Sequence, residues 1–464
     1  LPRILPSARR AVLASGLTGI LALGVLALGP GSAAQSAAGY NLYPNEAGMA
    51  EIMSTAGMID QHNLFFSASL GTNGRSCSTC HELSTGLTIT PSDIQARFNA
   101  TQGQDPIFRT VDGSNSPNAD VSTVQARQTA YSMLLNRGVI RIGLPMPANA
   151  DFTLVAVDDP YHFASAQQLS LFRRPLPTDN LRFLSSVMWD GRETLGPSMQ
   201  QNLTAQALNA IQGHLQATQN PTSQQLQQIV NFETPLFTAQ EQSNTAGSLE
   251  ARGATGGPVA LAQQNFYPGI NDSLGHDPTG KPFNQNVLTE FRSWTNLSGS
   301  PDPQLDAARQ SVARGEKIFD TRTFQITGVA GLNDVAGKTS ITGTCSTCHD
   351  TPSDGSHSLA QLMNTGVADG SRRTPDLPLY TFQCNSTGAT VQVTDPGQGL
   401  VTGKCADLGK FKVPSLRGLE TRSPYFHDGS ADSLQTLVTF YNTRFTIGLS
   451  TQDQSDLIAF LQTL

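Results

Sequence analysis

The chain has 464 residues, 38% of them hydrophobic and only 14% charged, with a formal net charge of −7. That length supports two ordinary domains with a sizeable core. The acidic balance argues against nucleic acid or an anionic membrane surface as a partner.

The first 34 residues read as a signal peptide. Arg3, Arg9 and Arg10 form a positive start, Ala11 to Leu28 is apolar apart from Gly, Ser and Thr, and Ser32-Ala33-Ala34 places small residues before Gln35. An uncleaved anchor is the rival, because the apolar run approaches spanning length. The many Gly and Ala residues and the cleavage site favour removal, so a periplasmic or secreted location is expected. No later segment is long and apolar enough to span a bilayer.

Residues 40–70 suggest a helix and then a loop, leading into Cys77-Ser-Thr-Cys-His81. The stretch 84–165 is rich in Gly, Asn, Asp, Pro and Thr, long for a loop in a compact domain. It therefore reads as a functional insertion or a covering flap. Helical periodicity returns with Leu203, Ala207, Leu208, Ile211 and Leu215 at three- and four-residue steps. A second helix is expected from Thr222 to Phe232, between Pro221 and Pro235. Residues 243–285 are punctuated by Gly, Asn and Pro and read as irregular.

Ser300-Pro-Asp-Pro303 marks a boundary, and Gln304–Phe319 opens a second unit that carries Cys345-Ser-Thr-Cys-His349 and closes with a helix over Thr451–Leu464. The expected fold is mainly α, with two cytochrome c-like units, 40–302 and 303–464. The first carries an insertion around 84–180, and both carry long irregular loops. Cys384 and Cys405 bracket a Gly- and Thr-rich loop. In an oxidising compartment a disulfide is expected there, with free buried thiols the alternative.

The duplicated pentapeptide carries the chemistry. Two thiols three positions apart form thioethers to one porphyrin edge, and the following His falls under the iron as proximal ligand. Two identical copies in an exported chain argue against zinc or redox-thiol readings. Cys77, Cys80 and His81 would hold one covalent haem, and Cys345, Cys348 and His349 a second. The opposite faces decide function, since an electron carrier fills both axial positions and a peroxide- or oxygen-activating centre leaves one open. No Met follows Met363, so a Met ligand near the C-terminus is excluded.

Ser186-Val-Met-Trp-Asp-Gly-Arg-Glu193 resembles a segment of the bacterial di-haem cytochrome c peroxidases and MauG-like proteins. Lys412-Val-Pro-Ser-Leu-Arg-Gly-Leu419, Ser423-Pro-Tyr-Phe-His-Asp-Gly-Ser430 and Asp456-Leu-Ile-Ala-Phe-Leu461 resemble the segments after that family's second haem. The motifs occur in the family's order. The stretch 84–180 and the loop 378–410 depart from it.

The resemblance implies a relay role between the haems for Trp189 and a sixth-ligand role at the second haem for Tyr441. It places Tyr425 and His427 near that haem and its propionates. Gln206 and His214 fall near the distal groups of the first haem, with His214 able to move a proton or to ligate the iron. Gln128, Arg422 and Pro424 match an interdomain calcium site. The loop His that gates ordinary family members has no counterpart, because no His lies between Glu82 and Tyr161.

The implied function is reduction of hydrogen peroxide, or its use to oxidise a partner, at the first haem, with electrons from a small redox protein relayed through the second. An oxygenase acting on an external organic substrate and a pure electron carrier are the alternatives. His62, His162, His276 and His357 read as surface or loop residues.

Overall fold

Phe152-Thr-Leu-Val-Ala-Val-Asp158 and Leu379-Tyr-Thr-Phe-Gln-Cys384 are rich in β-branched and aromatic residues, which favour a pleated surface. They pair antiparallel from Phe152↔Cys384 to Asp158↔Leu379, with Thr390–Val393 on the outer side of the second strand. The two stretches that depart from the family pattern, more than 200 residues apart, thus build one substructure. Its core holds Phe152, Leu169, Leu171, Tyr380, Phe382 and Val393. The Tyr380 hydroxyl accepts from Ser170 N at 2.9 Å and donates to Ser170 O at 2.8 Å. Cys384 and Cys405 form a disulfide at its margin, with Cα atoms 5.7 Å apart.

The computed structural model describes residues 34–35 and 40–464. The expected signal peptide lies outside them but for Ala34. The mainly α expectation is overturned: the fold is mixed α/β, 32% helical and 17% strand, with four sheets among the described residues. Residues 40–54 form a hairpin rather than a helix, Tyr40–Asn45 against Gly48–Ser54. A Cβ at Gly48 would collide with the Gln242 carbonyl of the neighbouring strand Leu236–Ser243, so the turn requires glycine. The stretch 84–165 is not structureless either. It folds as helices Pro91–Thr101, Val124–Ala130 and Ser132–Arg137 and strands Ile140–Leu144 and Phe152–Asp158, with a core of Ile94, Phe98, Phe108, Tyr131 and Leu134.

The helices read from periodicity form where their caps allow. Met199–Gly213 starts at Ser198, whose hydroxyl accepts from Gln201 N, and buries Leu203, Ala207 and Ile211 at four-residue steps. Ser223–Glu233 starts at a Thr222–Gln225 capping box. Pro303–Thr321 is capped by Asp302 and packs against Thr451–Leu461. Gly315 permits that approach, since a Cβ there would strike the Asp456 backbone. Arg314 and Ser311 fasten Asp456 at 2.7 and 2.5 Å. No helix among the described residues is long and apolar enough to cross a membrane.

One buried cation ties these parts together. Arg173 ends the strand Leu169–Arg173, which pairs with Ile140–Leu144. It donates to Asp190 at 2.5 Å and, through two nitrogens, to Asp395 at 2.7 and 2.9 Å. Burial alone would lower its pKa; the two carboxylates outweigh burial and hold it charged. Arg173→Met should lower folding stability by about 3–5 kcal/mol, because two buried carboxylates lose their counter-charge. A shift in the urea midpoint at constant slope checks this.

Several carboxylates bury without a full complement of cations. Burial pushes Glu51 up to about 7 and Glu241, across the same sheet, up to about 8, with Glu250 adding to both. On the helix Pro303–Thr321, burial lifts Glu316 to about 8 and Asp320 to about 7. The folded chain therefore holds protons that the unfolded chain releases near pH 4–5. Stability should fall as pH rises from about 5 to about 8 and then level. Urea midpoints at pH 5.5 and 8.5 test the sign, and Glu51→Gln/Glu241→Gln should flatten the slope.

Candidate functional site

The two pentapeptides fold alike. Each opens a single 3₁₀ turn, Cys77–Thr79 or Cys345–Thr347. In the first, the Thr79 hydroxyl accepts from Ser76 N at 2.9 Å; in the second, Thr347 accepts from Thr344 N at 2.9 Å. The turn carries the next His inward. His81 Nδ1 donates to the Leu87 carbonyl at 2.9 Å and His349 Nδ1 to the Gly355 carbonyl at 2.5 Å, six residues on in both cases. A carbonyl only accepts, so the proton sits on Nδ1 and Nε2 keeps its lone pair. Burial pulls both imidazoles down to about 4, which keeps them neutral. A neutral His with a fixed tautomer is the form that ligates a metal.

Each His faces its own cavity. The first is lined by Cys77, Cys80, His81, Gln206, His214 and Glu233; the second by Cys345, Cys348, His349, Met363, His427 and Tyr441. The four motif cysteines are unbridged thiols on these walls. Trp189 belongs to the walls of both cavities, and its indole donates to the Arg174 carbonyl at 2.8 Å. Arg174, Lys412 and Arg422 also border both. Burial pulls Arg174 down to about 9 and Lys412 to about 8, and lowers Arg422 as well. Paired thiols, a neutral His with a free Nε2 and buried cations suit a covalently attached, dianionic porphyrin on each side.

The other residues that line the two cavities differ. In the first cavity Gln206, Ala210 and His214 recur every four residues along one helix face. His214 Nδ1 pairs with Asp112 at 2.6 Å, and Asp112 also receives Arg75 at 2.5 Å. Burial would raise Asp112, but His214 and Arg75 outweigh it and hold the carboxylate below its ordinary range. Glu233 is buried in this wall, and burial lifts it to about 8, so it is a neutral acid near pH 7. In the second cavity Tyr441 stacks on Phe445 and meets Phe426 edge-on, and burial raises its phenol well above the usual range. His427 stacks on Phe411 with ring centroids 4.0 Å apart, and its Nε2 has no hydrogen-bond partner.

Sequence reasoning missed Asp112, Glu233 and two of the three shared cations, Arg174 and Lys412. Glu233 had a signal, a lone carboxylate on the apolar side of its helix beside Ile229 and Val230. Asp112 had none, because only tertiary folding brings it to His214. The calcium positions diverge in character. Gln128 is exposed on the helix Val124–Ala130, and the Arg422 carbonyl accepts from Arg174 at 3.0 Å, so a guanidinium already occupies that oxygen.

Comparison with known proteins agrees with this geometry. No family model matches the chain. Cytochrome-c peroxidase IdrP1 of Pseudomonas sp. (strain SCT) is 31% identical over 227 residues, 40% of this chain and 57% of that protein. Cytochrome-c peroxidase IdrP2 of Denitromonas iodatirespirans is 33% identical over 137 residues, 26% of this chain and 36% of its own. Over parts of its length the chain is thus similar to proteins named cytochrome-c peroxidase and to MauG. The methylamine utilization protein MauG of Methylophilus methylotrophus is 40% identical over 65 residues, 12% of this chain and 19% of that protein. The matches thus span between a fifth and somewhat over half of these relatives' length. A solved MauG-like protein associated with microbial copper homeostasis overlaps 87% of this chain and 86% of its own, at TM-score 0.37 and 14% identity, a likeness too slight to carry weight.

A pair of thiols on the wall of each cavity gives a direct expectation for haem attachment. The denatured protein should exceed its polypeptide mass by two haems, and neither should leave on acid-acetone extraction. Cys77→Ala/Cys80→Ala should lower the count to one. A single haem in the unsubstituted protein would contradict the pairing of thiols with both cavities.

Proposed function

We propose that the chain is a periplasmic or secreted di-haem peroxidase that handles hydrogen peroxide in the His81 cavity and receives electrons through the His349 side. The carrying observation is the contrast between two like-supported histidines. One shares its cavity with a Gln, a His–Asp pair and a neutral acid, and the other with a Tyr among aromatic rings. A c-type haem held by Cys77, Cys80 and His81 would supply a redox-active iron, and one held by Cys345, Cys348 and His349 a second.

The chain's own groups supply the proton handling. Asp112 fixes the His214 ring, so its Nε2 is free to take a proton from one peroxide oxygen and return it to the other. Glu233 offers a second proton from its neutral form. Two electrons and two protons convert the peroxide to two waters, with a small redox protein as the electron source. Gln206 can orient the peroxide by hydrogen bonding. Trp189, shared by both walls, is the side chain best placed to couple them. Tyr441, on the same cavity wall as His349, would help to hold the second iron. No His lies between Glu82 and Tyr161, which supports reaction with peroxide without prior reduction. Calcium is left out of the proposal because Arg174 takes the Arg422 carbonyl.

A second reading has its own support. Ile140 and Ile142 of the extra substructure line the first cavity, a wall suited to an apolar organic substrate and hence to oxygenase chemistry. Turnover of such a substrate with oxygen but not peroxide would select it.

Electron paramagnetic resonance of the ferric protein should show one high-spin and one low-spin haem. Tyr441→Phe should alter only the low-spin signal. His214→Ala should slow the peroxide reaction about 10²-fold or more, the range for a lost proton-transfer group, with the low-spin signal intact. Two low-spin haems in the unsubstituted protein would overturn the proposal and favour an electron carrier in which His214 caps the first iron.

A further inference from the structure

Behind the second motif lies a group of side chains that the proposed chemistry does not use. Asp272, Asp350 and His357 are all buried, at 0%, 0% and 2% exposure. His357 lies in a loop, one of the two places expected for it, but it is buried there rather than at the surface. One ligand atom from each of the three lies within 4.8 Å of the other two. Asp272 comes from the irregular segment 264–286, and Asp350 and His357 flank the loop that carries the Gly355 carbonyl behind His349.

The hydrogen bonds leave a specific remainder. Asp272 Oδ2 accepts from Leu274 N at 3.1 Å and His276 N at 2.8 Å, and pairs with the half-exposed His276 ring at 2.9 Å. Its Oδ1 has no partner. Asp350 accepts from Ser358 N at 2.7 Å and Ser273 N at 3.2 Å. Neither ring nitrogen of His357 makes a hydrogen bond. Nε2 stands 4.0 Å from the orphan Asp272 oxygen, and Nδ1 stands 3.0 Å from Asp350 Oδ2, out of line for a bond. Among the described residues neither carboxylate has a Lys or Arg nitrogen within 4 Å. Two buried carboxylates and an unpartnered imidazole pointing into one space are costly unless a cation joins them.

We propose that Asp272, Asp350 and His357 bind a divalent metal ion of the zinc class. Two hard carboxylates and one borderline imidazole suit zinc, whereas calcium takes oxygen ligands throughout. At metal–ligand bonds of about 2.1 Å, tetrahedral neighbours stand about 3.4 Å apart, so the observed separations need only a small closure. The ion would pin the segment 264–286 to the loop behind His349. This site is separate from both cavities and does not depend on the reading of either as a peroxide centre.

The test uses the haem-loaded full chain, dialysed against EDTA and titrated with zinc. Elemental analysis after gel filtration should find one zinc per chain, counted against haem iron. Asp272→Asn and His357→Gln should each weaken binding at least tenfold while the haem absorption spectrum is unchanged. X-ray absorption at the zinc edge of the unsubstituted protein should show a mixed oxygen and nitrogen shell with one imidazole, and this readout stands even if a variant fails to fold. Failure to bind zinc, a shell without imidazole, or full retention of zinc by both variants would overturn the proposal.

Discussion

The fold depends on Arg173, a guanidinium buried between Asp190 and Asp395. A charge in that position is unfavourable unless both partners stay in place, so it fixes three segments with no local reason to meet. These are the strand from the extra substructure, the Trp-Asp-Gly-Arg turn and the loop after the second haem motif. Its neighbour Arg174 extends the effect. The Arg174 backbone N donates to the His427 carbonyl at 2.6 Å, its own carbonyl takes the Trp189 indole, and its side chain gathers carbonyls from Ile89 and Arg422. Two adjacent arginines thereby hold the wall between the cavities, and Trp189 stands in that wall because they do.

The two histidine sites show how one local device serves two purposes. Motif, turn, threonine brace and Nδ1–carbonyl bond repeat, so each His is presented in the same tautomer. The rest of each cavity lining does not repeat. Polar, titratable groups converge on the first cavity and aromatic packing dominates the second. The contrast resides in the rest of each lining, which comes from different parts of the chain.

What the sequence revealed follows from where chemistry fixes residue type. Thioether attachment demands Cys, Cys and His at set spacing, so both motifs were legible. The helices Met199–Gly213 and Pro303–Thr321 were legible from periodicity and caps. Strands were not. Tyr40–Asn45 and Gly48–Ser54 carry apolar residues close enough together to mimic a helix, and only pairing with Leu236–Ser243 makes them a sheet. The substructure formed by Phe152–Asp158 and Leu379–Cys384 is a long-range pairing with no local signature. His357 was legible as a loop residue but not as a buried one, because a His in a Ser- and Gly-rich loop resembles a surface residue until the segment 264–286 packs against it.

The extra substructure is more than an appendage. The stretch 84–180 contributes Asp112, and Asp112 sets the orientation of His214. Without that carboxylate the His214 ring could turn at the end of its helix and offer either nitrogen to the cavity. With it, and with Arg75 holding the carboxylate, Nε2 points one way. Ile140 and Ile142 from the same stretch form part of the cavity wall. The stretch 84–180 therefore sets both the orientation of His214 and part of the shape of the cavity beside it.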